Sequence, residues 1–274
     1  MEVKFFCTRW GSEELSWDDF IVKAKSVGYD GIEVGLPHDI SFETLEEIWN
    51  LASKYSMLII PQHYDTYAEN FSKHKVNYSK WFEKLKPFPA MKINSQTGKD
   101  FFDFEQNYSL IKVAEKFTEE TAIPVFHETH RNKFSFASHI TNDYLIKISS
   151  LQLTLDISHW VCVAESFLED QTEAVDLAIS RTEHLHCRVG YTEGPQVPDP
   201  RLALWQPALQ AHLRWWDQVA ARKKIEKKVL TITPEFGPFP YMVPVPENNE
   251  PICNQWDVNV YMMNLLKERY CNNN

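Results

Sequence analysis

Short apolar segments alternate with longer amphipathic segments along the whole chain, and this alternation restricts the possible folds more than any other feature. A short run rich in β-branched and aromatic residues predicts a buried strand, whereas apolar residues at helical spacing predict a helix. The predicted strands are Val3–Thr8, Gly31–Leu36, Met57–Gln62, Ala90–Asn94, Ile123–Glu128, Gln152–Asp156, His184–Arg188 and Val229–Glu235. The predicted helices are Trp17–Val27, Phe42–Tyr55, Glu105–Thr118, Ile140–Ser149, Glu173–Ser180, Pro207–Lys224 and Asp257–Arg269, and Tyr78–Leu85 is predicted to be part of a further helix.

Strands that alternate with helices pair in parallel, and eight strand–helix repeats are the number that closes a (β/α)8 barrel. The alternative is a doubly wound open sheet, which usually has fewer strands and a glycine-rich first turn. The chain has only 8 glycines and contains no G-x-G-x-x-G motif. No linker-like composition divides it, so we predict an α/β protein with one TIM-barrel domain over residues 1–274, in which Asn272–Asn274 form a frayed tail.

Charge and cysteine content exclude several classes of protein. The formal net charge is −10, which disfavours a nucleic-acid partner, and the basic cluster at residues 222–228 is interpreted as the solvated end of a helix. The 5 cysteines lack paired spacing, which indicates a reduced, cytoplasmic protein. No signal-peptide pattern and no long apolar run is present, so no membrane contact is expected.

Polar residues at the carboxyl ends of barrel strands are the candidates for chemistry, because active sites of such barrels lie there. Glu128 ends strand five, Asp156 ends strand six, His186 lies on strand seven and Glu235 ends strand eight. Any one carboxylate could instead cap a helix or pair with a lysine. Buried carboxylates that converge are costly unless a cation neutralises them, so four such residues on successive strands favour one divalent metal ion, Mn, Mg, Co or Zn.

The sequence suggests different roles for two further histidines. His159 follows strand six and either binds substrate or satisfies a loop carbonyl group. His184 shares a face of strand seven with His186 but lies deeper, which favours a packed, hydrogen-bonded histidine inside the barrel.

These residues resemble a known family. Glu128, Asp156-x-x-His159, His186 and Glu235 match, in order and strand placement, the xylose-isomerase-like TIM barrels, which include tagatose 3-epimerase-type epimerases, hydroxypyruvate isomerase, inosose-processing enzymes and endonuclease IV. Residues 29–33 and the pair Gln62-His63 are similar to the family's second and third strand ends, and residues 188–201 resemble a branch described as sugar phosphate isomerases/epimerases. The resemblance covers nearly the whole chain.

The resemblance implies that Glu128, Asp156, His186 and Glu235 bind one metal ion and that Glu128 and Glu235 are catalytic. In the epimerases one glutamate removes a proton beside a carbonyl group and the other returns it, through a cis-enediolate that the metal stabilises. His159, Arg188 and His63 would contact substrate, and Trp10 and Trp160 would either flank a sugar face or simply pack. The implied activity is an isomerase or epimerase of a small carbohydrate, in a possible homo-oligomer.

Two other functions are alternatives to this activity. Endonuclease IV binds three zinc ions, but here strand four leads into Asn94 rather than a histidine, and Arg201 stands where a further ligand would be. A catalytically inactive sugar-binding barrel is disfavoured because a binding protein has no need for paired glutamates. Lyase or dehydratase chemistry shares the enediolate step and stays open.

Overall fold

The computed structural model describes residues 1–65 and 70–271, and the predicted tail at Asn272–Asn274 lies outside them. Eight parallel strands form a closed barrel in sequential order, which confirms the predicted α/β fold class. The strands are β1 (Val3–Thr8), β2 (Gly31–Gly35), β3 (Leu58–His63), β4 (Ile93–Ser95), β5 (Val125–Glu128), β6 (Leu153–Leu155), β7 (Thr182–His186) and β8 (Leu230–Thr233).

Nine α-helices surround the barrel within the described residues. They are α1 (Trp17–Ser26), α2 (Phe42–Lys54), α3 (Phe71–Leu85), α4 (Phe104–Thr121), α5 (Ser138–Lys147), α6 (Ser158–Ala164), α7 (Thr172–Ser180), α8 (Gln206–Glu226) and α9 (Gln255–Cys271). Side-chain caps start several of them: the hydroxyl groups of Ser16 and Ser41 accept from the backbone N–H groups of Asp19 and Thr44. No described helix is long and apolar enough to cross a bilayer.

The predicted elements differ from the observed ones mainly at their ends. Helix α3 begins at Phe71, well before the predicted Tyr78, because Asn70 caps it. The short helix α6 was not predicted, since seven residues directly after a strand carry too little periodicity to be recognised. The interpretation of residues 222–228 as wholly solvated was wrong for Lys223, which is fully buried in an ion pair with Glu183.

The strand register determines which side chains enter the barrel. Glu33 on β2 contacts His184 and His186 on β7 at 3.0 and 2.8 Å, and because β2 and β7 are not neighbours, these contacts must cross the interior. Alternate residues such as Ile32 and Val34 face outward and pack under the helices in the main apolar core. Apolar burial is therefore concentrated between barrel and helices, while the barrel axis carries polar groups.

Gly31 is needed where β2 passes close to its neighbours. A Cβ atom there would lie 2.5 Å from the carbonyl oxygen of Leu58 and 2.5 Å from the ring of Phe6. We expect Gly31→Ala to lower the free energy of unfolding by about 1–3 kcal/mol, because backbone atoms cannot move aside without distorting the barrel. Urea denaturation measures this change.

Gly35→Ala is the matched control on the same strand. The atoms nearest to a Cβ atom there belong to side chains, Tyr64 at 3.0 Å and Gln62 at 3.5 Å, which shift more easily than backbone atoms, so a smaller loss is expected. Equal losses for both variants would contradict the assignment of Gly31 to a backbone contact.

Candidate metal centre

Four side chains predicted to bind a metal converge at the carboxyl ends of β5 to β8. Glu128, Asp156, His186 and Glu235 each offer a ligand atom, and these atoms all lie within 4.8 Å of one another. Glu128, Asp156 and His186 are fully buried, and Glu235 is 4% exposed. The structure therefore brings together residues from four strand ends that are separated by up to about a hundred positions in the sequence.

The contacts of His186 indicate that these four side chains are suited to hold a cation. Its Nε2 atom lies 2.8 Å from Glu33 Oε1, while Nδ1 lies 3.0 Å from Glu235 Oε2 and 3.7 Å from Glu128 Oε1. Nδ1 is buried and makes no hydrogen bond of acceptable geometry within the described residues. Burial lowers the pKa of His186, but the carboxylates of Glu235, Glu33 and Glu128 more than offset this and hold it well above its ordinary value. This nitrogen and the carboxylate oxygens around it together form a suitable set of ligands for a divalent ion.

Glu33 is a functional candidate that the sequence reasoning did not assign. Its Oε1 accepts from His186 Nε2 and, at 3.0 Å, from Asn94 Nδ2. Its Oε2 accepts from His184 Nε2 and from the hydroxyl group of Thr233. Burial raises the pKa of Glu33, yet His186 and His184 outweigh burial and hold it well below its usual range. The available signal was a single glutamate at an inward position of an otherwise apolar strand.

Amide side chains separate the two predicted catalytic carboxylates. Gln62 Nε2 donates to Glu128 Oε2 at 3.3 Å and to Glu235 Oε1 at 3.1 Å, and Asn94 Nδ2 donates to Glu128 Oε2 at 2.8 Å. Burial raises the pKa of Glu128 to about 7. Burial acts in the same direction on Glu235, but the nearby His186 and Arg188 lower its pKa overall. The environments of the two glutamates thus differ, which suits a pair that exchanges protons.

Arg188 pairs with Asp156 on the other side of the centre. Its Nη2 atom contacts Asp156 Oδ2 and lies 3.7 Å from Glu235 Oε2, and its guanidinium group lies 4.7 Å from the centre of the Tyr241 ring. Burial raises the pKa of Asp156, with Arg188 opposing that shift. Arg188 is 1% exposed, so its charge acts on the groups of this site rather than on solvent.

His159 lies between two guanidinium groups. Arg131 Nε donates to its Nδ1 at 3.1 Å, and Arg188 Nη2 lies 2.8 Å from its Nε2. Burial holds the pKa of His159 well below its ordinary value, and the neighbouring His130 and both arginines add to this effect. A positive charge on this ring is therefore unfavourable, although its Nε2 atom lies 3.7 Å from Asp156 Oδ2.

A cavity of about 680 Å³ opens above the centre. Its floor includes Gln62, Arg188 and Glu235, and its walls come from the loops after β1, β3, β5 and β8. Trp10 lines it and meets Tyr241 edge to face at 5.0 Å. Gly237 permits this position, since a Cβ atom there would lie 2.1 Å from the Trp10 ring. A volume of this size accommodates a small polar molecule.

The structure places His63, a predicted substrate contact, away from the cavity, and it decides between the two interpretations of Trp160. His63 is fully buried and packs against Tyr78 and Trp81 at 4.8 and 5.1 Å, on the helix side of β3. Side chains alternate along a strand, so Gln62 is the residue of that pair that faces the cavity. Trp160 is buried and donates to the carbonyl oxygen of Ser135, which assigns it to packing.

The substitution Glu33→Gln tests whether Glu33 orients His186 for metal binding. A carboxylate accepts hydrogen bonds at both oxygens, but an amide would turn its NH₂ group toward donors on one side. We expect divalent-metal affinity to fall about 10- to 100-fold with the fold retained. Calorimetric titration with Mn²⁺ measures this, and the exposed Glu47→Gln on α2 is the control. Unchanged affinity in Glu33→Gln would contradict the assigned role.

Metal affinity should depend on pH. Ligands bind a metal only when deprotonated, and the metal-free centre carries a proton on His186 and, below pH about 7, on Glu128. We therefore expect affinity to rise from pH about 6 to about 8 and to fall most steeply below pH about 7. Mn²⁺ titrations in buffers of different ionisation enthalpy count the protons released. An affinity independent of pH would refute this expectation.

Comparison with known proteins shows the fold. No family model matches the chain, and no curated protein matches it. The probable 3-DHS dehydratase AsbF from Bacillus anthracis has 16% identity and a TM-score of 0.61, with 98% of this chain and 100% of that chain covered. A D-psicose 3-epimerase has 11% identity and a TM-score of 0.60, with 98% and 99% covered. An AP endonuclease of family 2 from Brucella melitensis has 13% identity and a TM-score of 0.57, with 86% and 93% covered.

These three proteins are xylose isomerase-like TIM barrels that carry different chemistries. Because each is less than 25% identical to this chain, the likeness concerns the fold and not the activity. The resemblance inferred from the sequence is confirmed at that level: the chain has the fold of the xylose isomerase-like TIM barrels.

Proposed function

We propose that the protein is a divalent-metal-dependent isomerase or epimerase of a small carbohydrate. The observation that carries this proposal is the placement of Glu128 and Glu235 in one centre with Asp156 and His186, the two glutamates held apart by the Gln62 amide, below a cavity large enough for a sugar. The D-psicose 3-epimerase with the same fold is consistent with this activity.

The four converging side chains would hold the cation. When bound there, a divalent ion supplies Lewis-acid polarisation of the substrate's carbonyl group. The remaining work falls to the protein's own side chains. Four buried acidic groups, including Glu33, lie close together and repel one another. Hydrogen bonds from Gln62, Asn94 and Arg188 keep these carboxylates in fixed orientations.

Glu128 and Glu235 perform the proton transfers in this proposal. One carboxylate removes the proton from the carbon beside the carbonyl group, which leaves a cis-enediolate, and the other carboxyl group delivers a proton to the opposite side. In the reverse reaction the two residues exchange roles. Gln62 donates to both, so it keeps the two carboxyl groups on either side of one amide at 3.3 and 3.1 Å.

Substrate orientation is assigned to the polar and aromatic groups around this pair. Arg188 lines the cavity beside Glu235 and can donate to a substrate oxygen, with His159 behind it. Trp10 offers a flat apolar surface for the C–H face of a sugar. These roles are part of the proposal.

The test is proton exchange in D₂O with a panel of ketoses and the metal-loaded protein, followed by NMR. We expect deuterium to enter beside the carbonyl group of at least one sugar. Glu235→Gln should lower the exchange rate by about 10²- to 10⁴-fold while the melting temperature is retained, because it removes one proton-transfer group. Glu47→Gln, exposed on α2, should exchange at the wild-type rate.

Metal content separates this function from its rivals. Elemental analysis should find about one divalent ion per chain. Three zinc ions would favour a phosphodiesterase, and the absence of any metal would favour a sugar-binding barrel. A product that has lost one water molecule relative to the substrate would indicate dehydratase chemistry, the activity named for the probable 3-DHS dehydratase AsbF. Bound metal with no exchange for any sugar would refute the enediolate step for that panel.

A further inference from the structure

A buried lysine lines the candidate substrate cavity. Lys133 lies in the loop between β5 and α5, five residues after the predicted ligand Glu128, and its side chain forms part of the cavity wall. The residue is only 3% exposed. The main chain holds it in a tight turn, because Lys133 N–H donates to the His130 carbonyl and Phe136 N–H donates to the Lys133 carbonyl, each at 3.2 Å. Its position is therefore set by the loop backbone.

The Lys133 ammonium group has donors to spare. It carries three N–H bonds, but in the described residues it makes one hydrogen bond, to the carbonyl oxygen of Tyr64 at 3.4 Å. It forms no ion pair with a described carboxylate. A buried ammonium group without a counter-ion is unfavourable, and its remaining donors have the cavity beside them.

The other cations of the cavity wall already have partners. Arg188 pairs with Asp156. The Arg9 guanidinium group donates to the carbonyl oxygens of Glu13 and Leu15 and lies 4.3 Å from the centre of the Trp17 ring. Neither Arg9 nor Lys133 forms an ion pair with a described carboxylate, and Arg9 Nη1 is buried without a described partner. Lys133 makes only one hydrogen bond, at 3.4 Å, and so has the fewest described protein partners of the three cations.

The surroundings of Lys133 favour an anion beside it. Burial, and to a smaller extent the nearby Lys99, lower its pKa to about 8, although Glu128, Asp65 and Asp100 oppose this shift. A negatively charged group at this point would relieve both the burial of the ammonium group and its repulsion from Lys99.

We propose that Lys133 binds a carboxylate group carried by the substrate, so that the substrate is a sugar acid rather than a neutral ketose. This proposal rests on the proposed function and assigns its substrate class. One ammonium group matches the single charge of a carboxylate. A neutral hydroxyl group would leave the charge uncompensated, and a phosphate dianion usually takes several converging donors.

The test is equilibrium binding, measured by calorimetry on the metal-loaded full-length protein. The probes are D-fructuronate and D-tagaturonate, with D-fructose and D-tagatose as neutral partners and D-fructose 6-phosphate as the phosphorylated one. We expect a uronate to bind at least about tenfold more tightly than its neutral partner. Lys133→Met should weaken that binding about 10- to 100-fold and leave the affinity for neutral ketoses unchanged.

Three controls accompany this experiment. Lys80→Met removes a lysine exposed on α3 and should leave every affinity unchanged. Lys133→Gln is a second neutral variant in case the methionine variant fails to fold. Lys133→Arg keeps the charge and should retain the preference for the uronate.

Several results would overturn the proposal. They are equal affinities for uronate and neutral ketose, a preference that survives in both neutral Lys133 variants, tighter binding of the sugar phosphate, and no binding of either uronate. Failure of proton exchange is a separate result: if uronate binding depends on Lys133 but no deuterium enters any sugar, the proposed function is refuted and the carboxylate site stands.

Discussion

Mutual repulsion among four buried carboxylates is the constraint on which the rest of this site depends. Glu33, Glu128, Asp156 and Glu235 are each at most 4% exposed, and hydrogen-bond donors from several strands contact them, some of which serve two carboxylates. Histidines and Thr233 surround Glu33, amide groups reach Glu128, and Arg188 reaches Asp156. Because these donors come from different strands, the barrel must close before the acidic groups can be accommodated. A divalent cation would add the charge that the protein leaves uncompensated.

Hydrogen bonds connect the centre to the opposite end of the barrel. Lys92 Nζ donates to Thr231 Oγ1 at 2.8 Å, and Thr231 Oγ1 lies 2.8 Å from His184 Nδ1. His184 Nε2 contacts Glu33, which in turn contacts His186. The prediction that His184 is a packed, hydrogen-bonded histidine agrees with this position. The chain of contacts fixes the ring of His186 from below, so that Nδ1 is presented to the ligand carboxylates.

The loops above the centre are expected to set the activity of this protein, because the barrel fold itself is shared by proteins with different activities. The three solved structures compared here share the barrel at 16% identity or less and carry names of a dehydratase, an epimerase and an endonuclease. In this chain the rim consists of Trp10 against Tyr241, the Tyr241 ring near two guanidinium groups, and Lys133 in the loop after β5. Substrate choice is therefore expected to depend on these residues.

The repeating pattern of strands and helices could be predicted from the sequence because strand burial and helical periodicity are local properties. The four ligand candidates could be found as well, since the carboxyl ends of barrel strands meet at one edge. It was harder to predict which of two adjacent residues at a strand end faces the cavity. His63 was predicted to contact substrate, but Gln62 lines the cavity, because a shift of one residue reverses the face of the sheet to which a side chain points.

The sequence by itself thus determined the number of strands, their order and the residue types at their ends, because these depend on the spacing of nearby residues. Only the tertiary structure decided that Glu33 and Asn94 support the centre, since their partners lie on other strands, 153 and 34 positions away in the sequence. It alone decided that Lys133 is buried without a carboxylate partner among the described residues, because its surroundings come from loops that are distant in the chain. Long-range contacts of this kind leave no periodic signal in the sequence.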